Sequence, residues 1–233
     1  WQKNLRINSN SMNTTISISW NGHEFNLLAD RAVFWNEQKT IFIADPHFGK
    51  ASSFQYCGIP VPEENTLEDC ERLTLLIEKT GAENVIFLGD FFHARSGKTN
   101  EIRSILLNWR KKVQKTNLYL IRGNHDFNAG DPWPELKIKS FNDPTTLLGI
   151  ECRHLPVKYS ENPYLAGHIH PGFSFKGKGK STIRSSCFVV NSKYIILPAF
   201  GSFTGLKNVK FAMGDQIFIT NGDEIFEIPE IKS

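Results

Sequence analysis

The chain reads as an α/β protein that carries a second, mainly antiparallel sheet. Between residues 40 and 121 apolar strand-like runs alternate with segments of helical periodicity, and each run ends in an acid or a histidine. Beyond residue 146 that alternation gives way to short strand-like runs broken by Gly, Pro and Asn.

The composition permits a packed interior. Hydrophobic residues make up 40% and charged residues 22% of 233, with 18 Phe and 5 Trp, a globular balance for a single domain over residues 14–233. Residues 1–13 are polar and aperiodic and read as a flexible end. The net charge of +3 allows a polyanionic partner without requiring one. Four widely spaced cysteines at 57, 70, 152 and 187 form no Cys-x-x-Cys pair, which speaks against a thiolate zinc site or a disulfide scaffold and fits a reducing cytoplasm. No leader-like segment opens the chain and no run approaches the roughly 20 apolar residues of a membrane span. A soluble, cytoplasmic protein without membrane contact is therefore expected.

Taken in order, residues 15–20 alternate polar and apolar as a half-buried strand. Residues 32–35 and 40–44 make a hairpin across the polar residues 36–39 and deliver Asp45, Pro46 and His47. These two ligand-type residues lie two apart and share a side if the backbone stays extended. A loop over residues 52–62 precedes a helix, with Thr66 and Asp69 as a capping-box-like pair and Leu67, Cys70, Leu73, Leu76 and Ile77 on one face up to Gly81. The run at 85–88 reads as a strand buried on both faces and ends in Gly89-Asp90. Ile102, Ile105, Leu106, Trp109 and Val113 mark a second helix. The strand ending at Ile121 then opens into Gly123-Asn124-His125-Asp126, where glycine is expected to let the chain turn. Later strands are predicted at 147–152, 187–190, 194–197, 216–219 and 224–228.

Six of the seven histidines, His47, His93, His125, His154, His168 and His170, fall in or beside strand exits; His23 stands apart. With Asp45, Asp90 and Asn124 they form a nitrogen and oxygen donor set free of thiolate, suited to Mn²⁺, Fe or Zn²⁺. More than four donors implies more than one ion, and two adjacent divalent ions activate water for in-line displacement at phosphorus. Each residue also has an ordinary reading: the aspartates as helix caps, the histidines as buried groups bonded to backbone. Their joint order favours a metal site.

Asp45-Pro46-His47, Gly89-Asp90-Phe91-Phe92-His93, Gly123-Asn124-His125-Asp126 and Gly167-His168-Ile169-His170, in this order, resemble the motifs of the calcineurin-like metallophosphoesterase superfamily. Residues 44–50, 89–95, 122–126, 166–171 and 197–205 resemble more narrowly the bacterial DNA-ligase-associated metallophosphoesterase (PdeM) nuclease group. The likeness spans roughly residues 25–228. It implies a four-layer αββα sandwich of two facing mixed β-sheets with outer helices. It further implies one metal on Asp45, His47 and His170, a second on Asn124, His154 and His168, and Asp90 between them. His125 would be the catalytic residue, stabilising the phosphorane or protonating the leaving oxygen, with Asp126 orienting it. The implied activity is Mn²⁺-dependent cleavage of DNA, single-stranded above all, in repair and in association with a DNA ligase and a helicase. The alternative reading is a phosphoesterase of nucleotides or cyclic nucleotides.

His93, Arg95, Arg122, Lys178 and Lys180 are candidate substrate contacts. The lysines belong to a glycine-rich segment that reads equally as a basic loop over a phosphate backbone or a solvated hairpin tip. Phe48, Phe91, Phe92, Phe200 and Phe203 flank the motifs, either stacking on bases or packing the core beneath them.

Overall fold

The computed structural model describes residues 13–176 and 182–229; Lys178 and Lys180 lie outside the described residues. The first sheet contains β1 (Thr15–Trp20), β2 (His23–Leu28), β3 (Ala32–Trp35), β4 (Thr40–Ile43), β5 (Asn84–Phe87), β6 (Asn117–Ile121) and β7 (Ile138–Phe141), in that spatial order. β1 to β4 pair antiparallel, while β4 to β7 pair parallel. Interspersed are helices α1 (Lys50–Tyr56), α2 (Glu64–Thr80), α3 (Asn100–Lys112) and α4 (Asn124–Ala129).

The second sheet is built from β8 (Thr145–Leu147), β9 (Ile150–Cys152), β10 (Tyr164–Ala166), β11 (Pro171–Lys176), β12 (Thr182–Val190), β13 (Tyr194–Ile196), β14 (Lys207–Asn208), β15 (Gln216–Thr220) and β16 (Ile225–Ile228). Its order runs β14-β11-β12-β13-β10-β9-β8, with β15 also paired to β12 and β16 to β15. The pairing is mixed: β9, β10 and β13 run parallel, whereas β11, β12 and β15 are antiparallel.

Alternation along the strands explains the layering. Ile41, Ile43, Val85, Phe87, Leu118 and Leu120 point to one side, where Leu73, Leu76, Ile77, Ile102, Leu106 and Trp109 of α2 and α3 cover them. Phe42, Ile86 and Ile121 point to the other side and meet Leu165, Phe188, Ile195 and Phe218 of the second sheet. The two sheets thus face each other over one apolar interior. On the outer side of the second sheet Cys187, Val189, Ile196 and Ile217 pack with Phe173, Val209 and Phe211. No described helix is long and apolar enough to cross a membrane.

Several local expectations change. α2 starts at Glu64, two residues before Thr66. Thr66 and Asp69 make no capping pair: the Thr66 hydroxyl donates to Glu63 and accepts from the Gly49 amide, and Asp69 accepts from the Ser202 amide and Arg72. Residues 50–56 form α1, not a loop; the helix is too short and too rich in small polar residues to show an apolar stripe. β2 and β7 complete the first sheet, and the run at 147–152 is a tight hairpin of β8 and β9.

Candidate metal centre

The predicted ligands stand at the carboxyl ends of five strands. Asp45 and His47 follow β4, Asp90 follows β5, Asn124 opens α4 after β6, His154 follows β9, and His168 and His170 follow β10. Because β4, β5 and β6 are parallel, as are β9 and β10, their exits converge at one edge of the sandwich.

Backbone pairing continues past the strands and fixes these exits. The Asp45 amide donates to Gly89 O at 3.2 Å, His47 N to Asp90 O at 3.0 Å and Phe48 N to Phe91 O at 2.9 Å. Across the interface, His168 N donates to Asp45 Oδ2 at 2.7 Å. Asp45 and His47 do not share a side through an extended chain. Their φ angles are 51° and 49°, and Asp90, His168 and His170 also lie in the left-handed region, at 52°, 70° and 45°. Non-glycine residues pay strain there, and such strain gathers at functional sites.

Three groups of donor atoms result among the described residues, each with all atoms within 4.8 Å of one another: Asp45, His47 and His170; Asp90, His154 and His168; and His47, His93 and His125, the last sharing His47 with the first. In the first, His47 Nε2 lies 3.4 Å from His170 Nε2, and His170 Nε2 lies 3.6 Å from Asp45 Oδ1. In the second, His154 Nε2 is 3.0 Å from both Asn124 Oδ1 and His168 Nδ1 and 3.4 Å from Asp90 Oδ1. Ligands bound at about 2.1 Å around one centre stand roughly 3.0–3.4 Å apart, so these two groups fit an ion. Asp45 Oδ1 is fully buried without a hydrogen-bond partner, a costly position for a carboxylate oxygen unless a cation faces it. Asp90 reaches both groups, with Oδ2 3.8 Å from His47 Nε2.

Burial keeps the His47 and His168 imidazoles neutral and able to ligate. Burial, reinforced by His170, His125 and His93, holds His47 far below the ordinary imidazole range. Burial likewise lowers His168. It raises Asp90, an effect His154 opposes and Asp45 reinforces. The Nδ1 of His154 faces Leu88 O at 3.0 Å; with the proton on Nδ1, that bond leaves Nε2 as the coordinating nitrogen.

Two glycines make room for this packing. A Cβ at Gly89, whose φ is +90°, would stand 2.0 Å from His154 Nδ1. At Gly123 it would stand 2.2 Å from Asp90 Oδ1. Gly123 itself has φ −91° and ψ 177°, ordinary extended backbone, so glycine is needed there for space and not for a turn.

His125 bonds through Nδ1 to His93 O, and its Nε2 lies 3.8 Å from Asp90 Oδ2 on the open side of the cluster. Asp126 does not orient it. Asp126 is buried and accepts from the amides of Gly123 (2.8 Å) and Phe91 (3.0 Å), tying the β5 and β6 exits together. Burial pushes its carboxyl up to about 6. The His93 ring stacks on His125 at 5.0 Å, and burial and the Lys50 charge lower it to about 4. Arg95 is exposed on the 3-10 turn Arg95–Gly97. Arg122, expected to contact phosphate, instead forms a two-pronged pair with Asp131 at 2.7 and 2.8 Å and bonds Asn142 at 3.0 Å, so its fork is already engaged. Phe48, Phe91, Phe92 and Phe200 are core residues, each no more than 1% exposed.

Fold and donor set together define a metal-dependent hydrolase. The profile of the family described as calcineurin-like phosphoesterase matches residues 38–200, and the chain belongs to that family. Among solved structures, the nuclease MPE of Pseudomonas putida is 33% identical with a TM-score of 0.79, the match covering 92% of this chain and 100% of that one. Yfce, a phosphoesterase from E. coli, aligns at 14% identity and a TM-score of 0.39, covering 81% of this chain and 97% of its own, too distant to carry an argument. A comparison with curated proteins found no match.

Proposed function

We propose that this protein is a two-metal phosphodiesterase that hydrolyses DNA, preferentially where it is single-stranded. The observation that carries this reading is the convergence of nitrogen and oxygen donors from both sheets on one open edge, in a chain 33% identical to a nuclease over 92% of its length. Asp45, His47 and His170 would hold one ion, Asn124, His154 and His168 the other, with Asp90 facing both. Mn²⁺ suits a neutral imidazole and carboxylate set without thiolate. Bound divalent ions supply an activated water and neutralise charge on the phosphate.

The chain's own residues then orient and protonate. With His125 Nδ1 donating to the His93 carbonyl, Nε2 is the nitrogen free to carry a proton to the leaving oxygen. Arg95, exposed two residues past His93, can pair with a flanking phosphate. Cytoplasmic DNA repair, in association with a ligase and a helicase, is the setting we favour; four free cysteines and the sequence resemblance support it. The test is to incubate Mn²⁺-loaded protein with single-stranded, duplex and circular DNA, with a chelated control. Metal-dependent cleavage, strongest on single strands, is expected; no cleavage of any of the three would refute the nuclease reading.

A further inference from the structure

Beside the metal edge lies a second arrangement, built by α1, which the sequence did not reveal as a helix. Gly49 enters α1 at φ 72°, and a Cβ there would stand 2.3 Å from Gly97 O, so the helix sits directly against the turn that follows His93. This placement sets Phe54 next to His93, ring centroids 6.2 Å apart and tilted by 34°. Phe203, from the loop between β13 and β14, meets Phe54 edge-on at 5.6 Å. The Lys50 ammonium stands 5.6 Å from the centre of the Phe203 ring.

The rings form a continuous series from the reaction centre outward: His125 on His93 at 5.0 Å, His93 to Phe54, then Phe54 to Phe203. Unlike Phe48, Phe91, Phe92 and Phe200, which are sealed in the core, Phe54 and Phe203 are only partly buried. A recess with room for about one water, lined by His47, Lys50, Thr66 and Phe203, lies between Phe203 and the metal edge. Two partly buried aromatic rings beside one cation, leading away from a phosphate-cleaving centre, have the chemistry of a single-strand binding platform. Each base offers a face to stack, and each step along the strand carries a phosphate.

The geometry points to Phe54 and Phe203 as the stacking surface for an unpaired nucleobase next to the scissile phosphate, with Lys50 pairing to the adjoining backbone phosphate. This assignment rests on the nuclease reading above and explains a preference for single strands, because a base held in a duplex stack has no free face to offer. The occupant is the substrate strand itself.

The test uses the full chain and a single-stranded oligodeoxynucleotide with nonhydrolysable linkages, carrying 2-aminopurine at successive positions. Quenching of the fluorescent base at one position is expected with the unaltered protein. Phe54→Leu with Phe203→Leu should abolish it, and Phe203→Tyr should retain it. On cleavable single-stranded DNA the double leucine variant should raise KM roughly tenfold with little change in kcat. Lys50→Ala should lower the slope of log affinity against log salt by about 0.7, one phosphate contact on a single strand. Quenching that persists without both rings overturns the platform and leaves the nuclease reading intact. If the unaltered protein hydrolyses bis(4-nitrophenyl) phosphate yet cleaves no DNA, the nuclease reading falls and the platform with it.

Discussion

The amide of His168 donates to Asp45 Oδ2 at 2.7 Å, joining the exits of β10 and β4 across 123 residues of sequence. One carboxylate oxygen of Asp45 is thereby satisfied from the second sheet, while the other, Oδ1, is buried and aimed at His170. A cation at that oxygen would hold the two sheets together. Adding Mn²⁺ at about 100 times its dissociation constant should stabilise the fold by about 2.7 kcal/mol, raising Tm by roughly 5–10 °C for a chain of this size. Asp45→Asn should remove most of that shift and most of the bound metal; a full shift in the variant would rule out Asp45 as a ligand.

Gly89 has no room to change. Its φ of +90° and the 2.0 Å approach of a would-be Cβ to His154 mean that Gly89→Ala strains the backbone and displaces the imidazole. The expected cost is about 3 kcal/mol or more, read as a lower Tm, together with loss of the metal-dependent shift. A variant of native Tm and native metal content would contradict the packing.

His125 lies on the open side of the cluster, bonded to backbone on its inner nitrogen. His125→Ala should lower kcat by about 10²–10⁴, the usual contribution of a positioned acid or base, with metal content unchanged. The loss should shrink on an ester with a good leaving group, which needs no proton. Equal losses on good and poor leaving groups would exclude proton donation.

Asp69 and Arg72 brace the loop that backs the site. Asp69 accepts from the Ser202 amide at 3.0 Å and from Arg72 at 2.9 Å, and Arg72 lies 4.0 Å over the Phe200 ring. Phe200 N in turn donates to Ala44 O at 2.7 Å. Asp69→Ala leaves a largely buried guanidinium without its partner and should cost about 3 kcal/mol, measurable by denaturant unfolding. An effect under about 0.5 kcal/mol, the range of ordinary surface changes, would show the brace to be dispensable.

Burial pushes the Cys152 and Cys187 thiols up to about 12 and raises Cys70 well above its usual value, whereas Cys57 is exposed. At pH 8 iodoacetamide should label one cysteine in the native protein and four after denaturation, counted by intact mass. Rapid native labelling of Cys152 would contradict its place between the sheets.

Legibility from sequence followed the range of each interaction. α3, β5 and the β3–β4 hairpin could be read because Ile102, Leu106 and Trp109, or the run at 85–88, encode their own periodicity. α1 could not, since what holds it is the close approach of Gly49 to Gly97, 48 positions away. The donor residues were legible from their order along the chain, but their convergence through left-handed backbone at five positions was not. The pairing of Arg122 was not legible because Asp131, its partner, is an unremarkable acid nine residues on. The reason for Gly123 emerged only once His154 and Asp90 stood beside it.

The β4 and β5 exits bring Asp45, His47 and Asp90 from the first half of the chain, whereas His154, His168 and His170 arrive after residue 150. Each half alone would offer an incomplete set of candidate ligands. A chain cut in the link between β7 and β8 would yield two fragments, neither able to bind metal tightly, and the return of hydrolysis on mixing them would report that the two sheets had found each other.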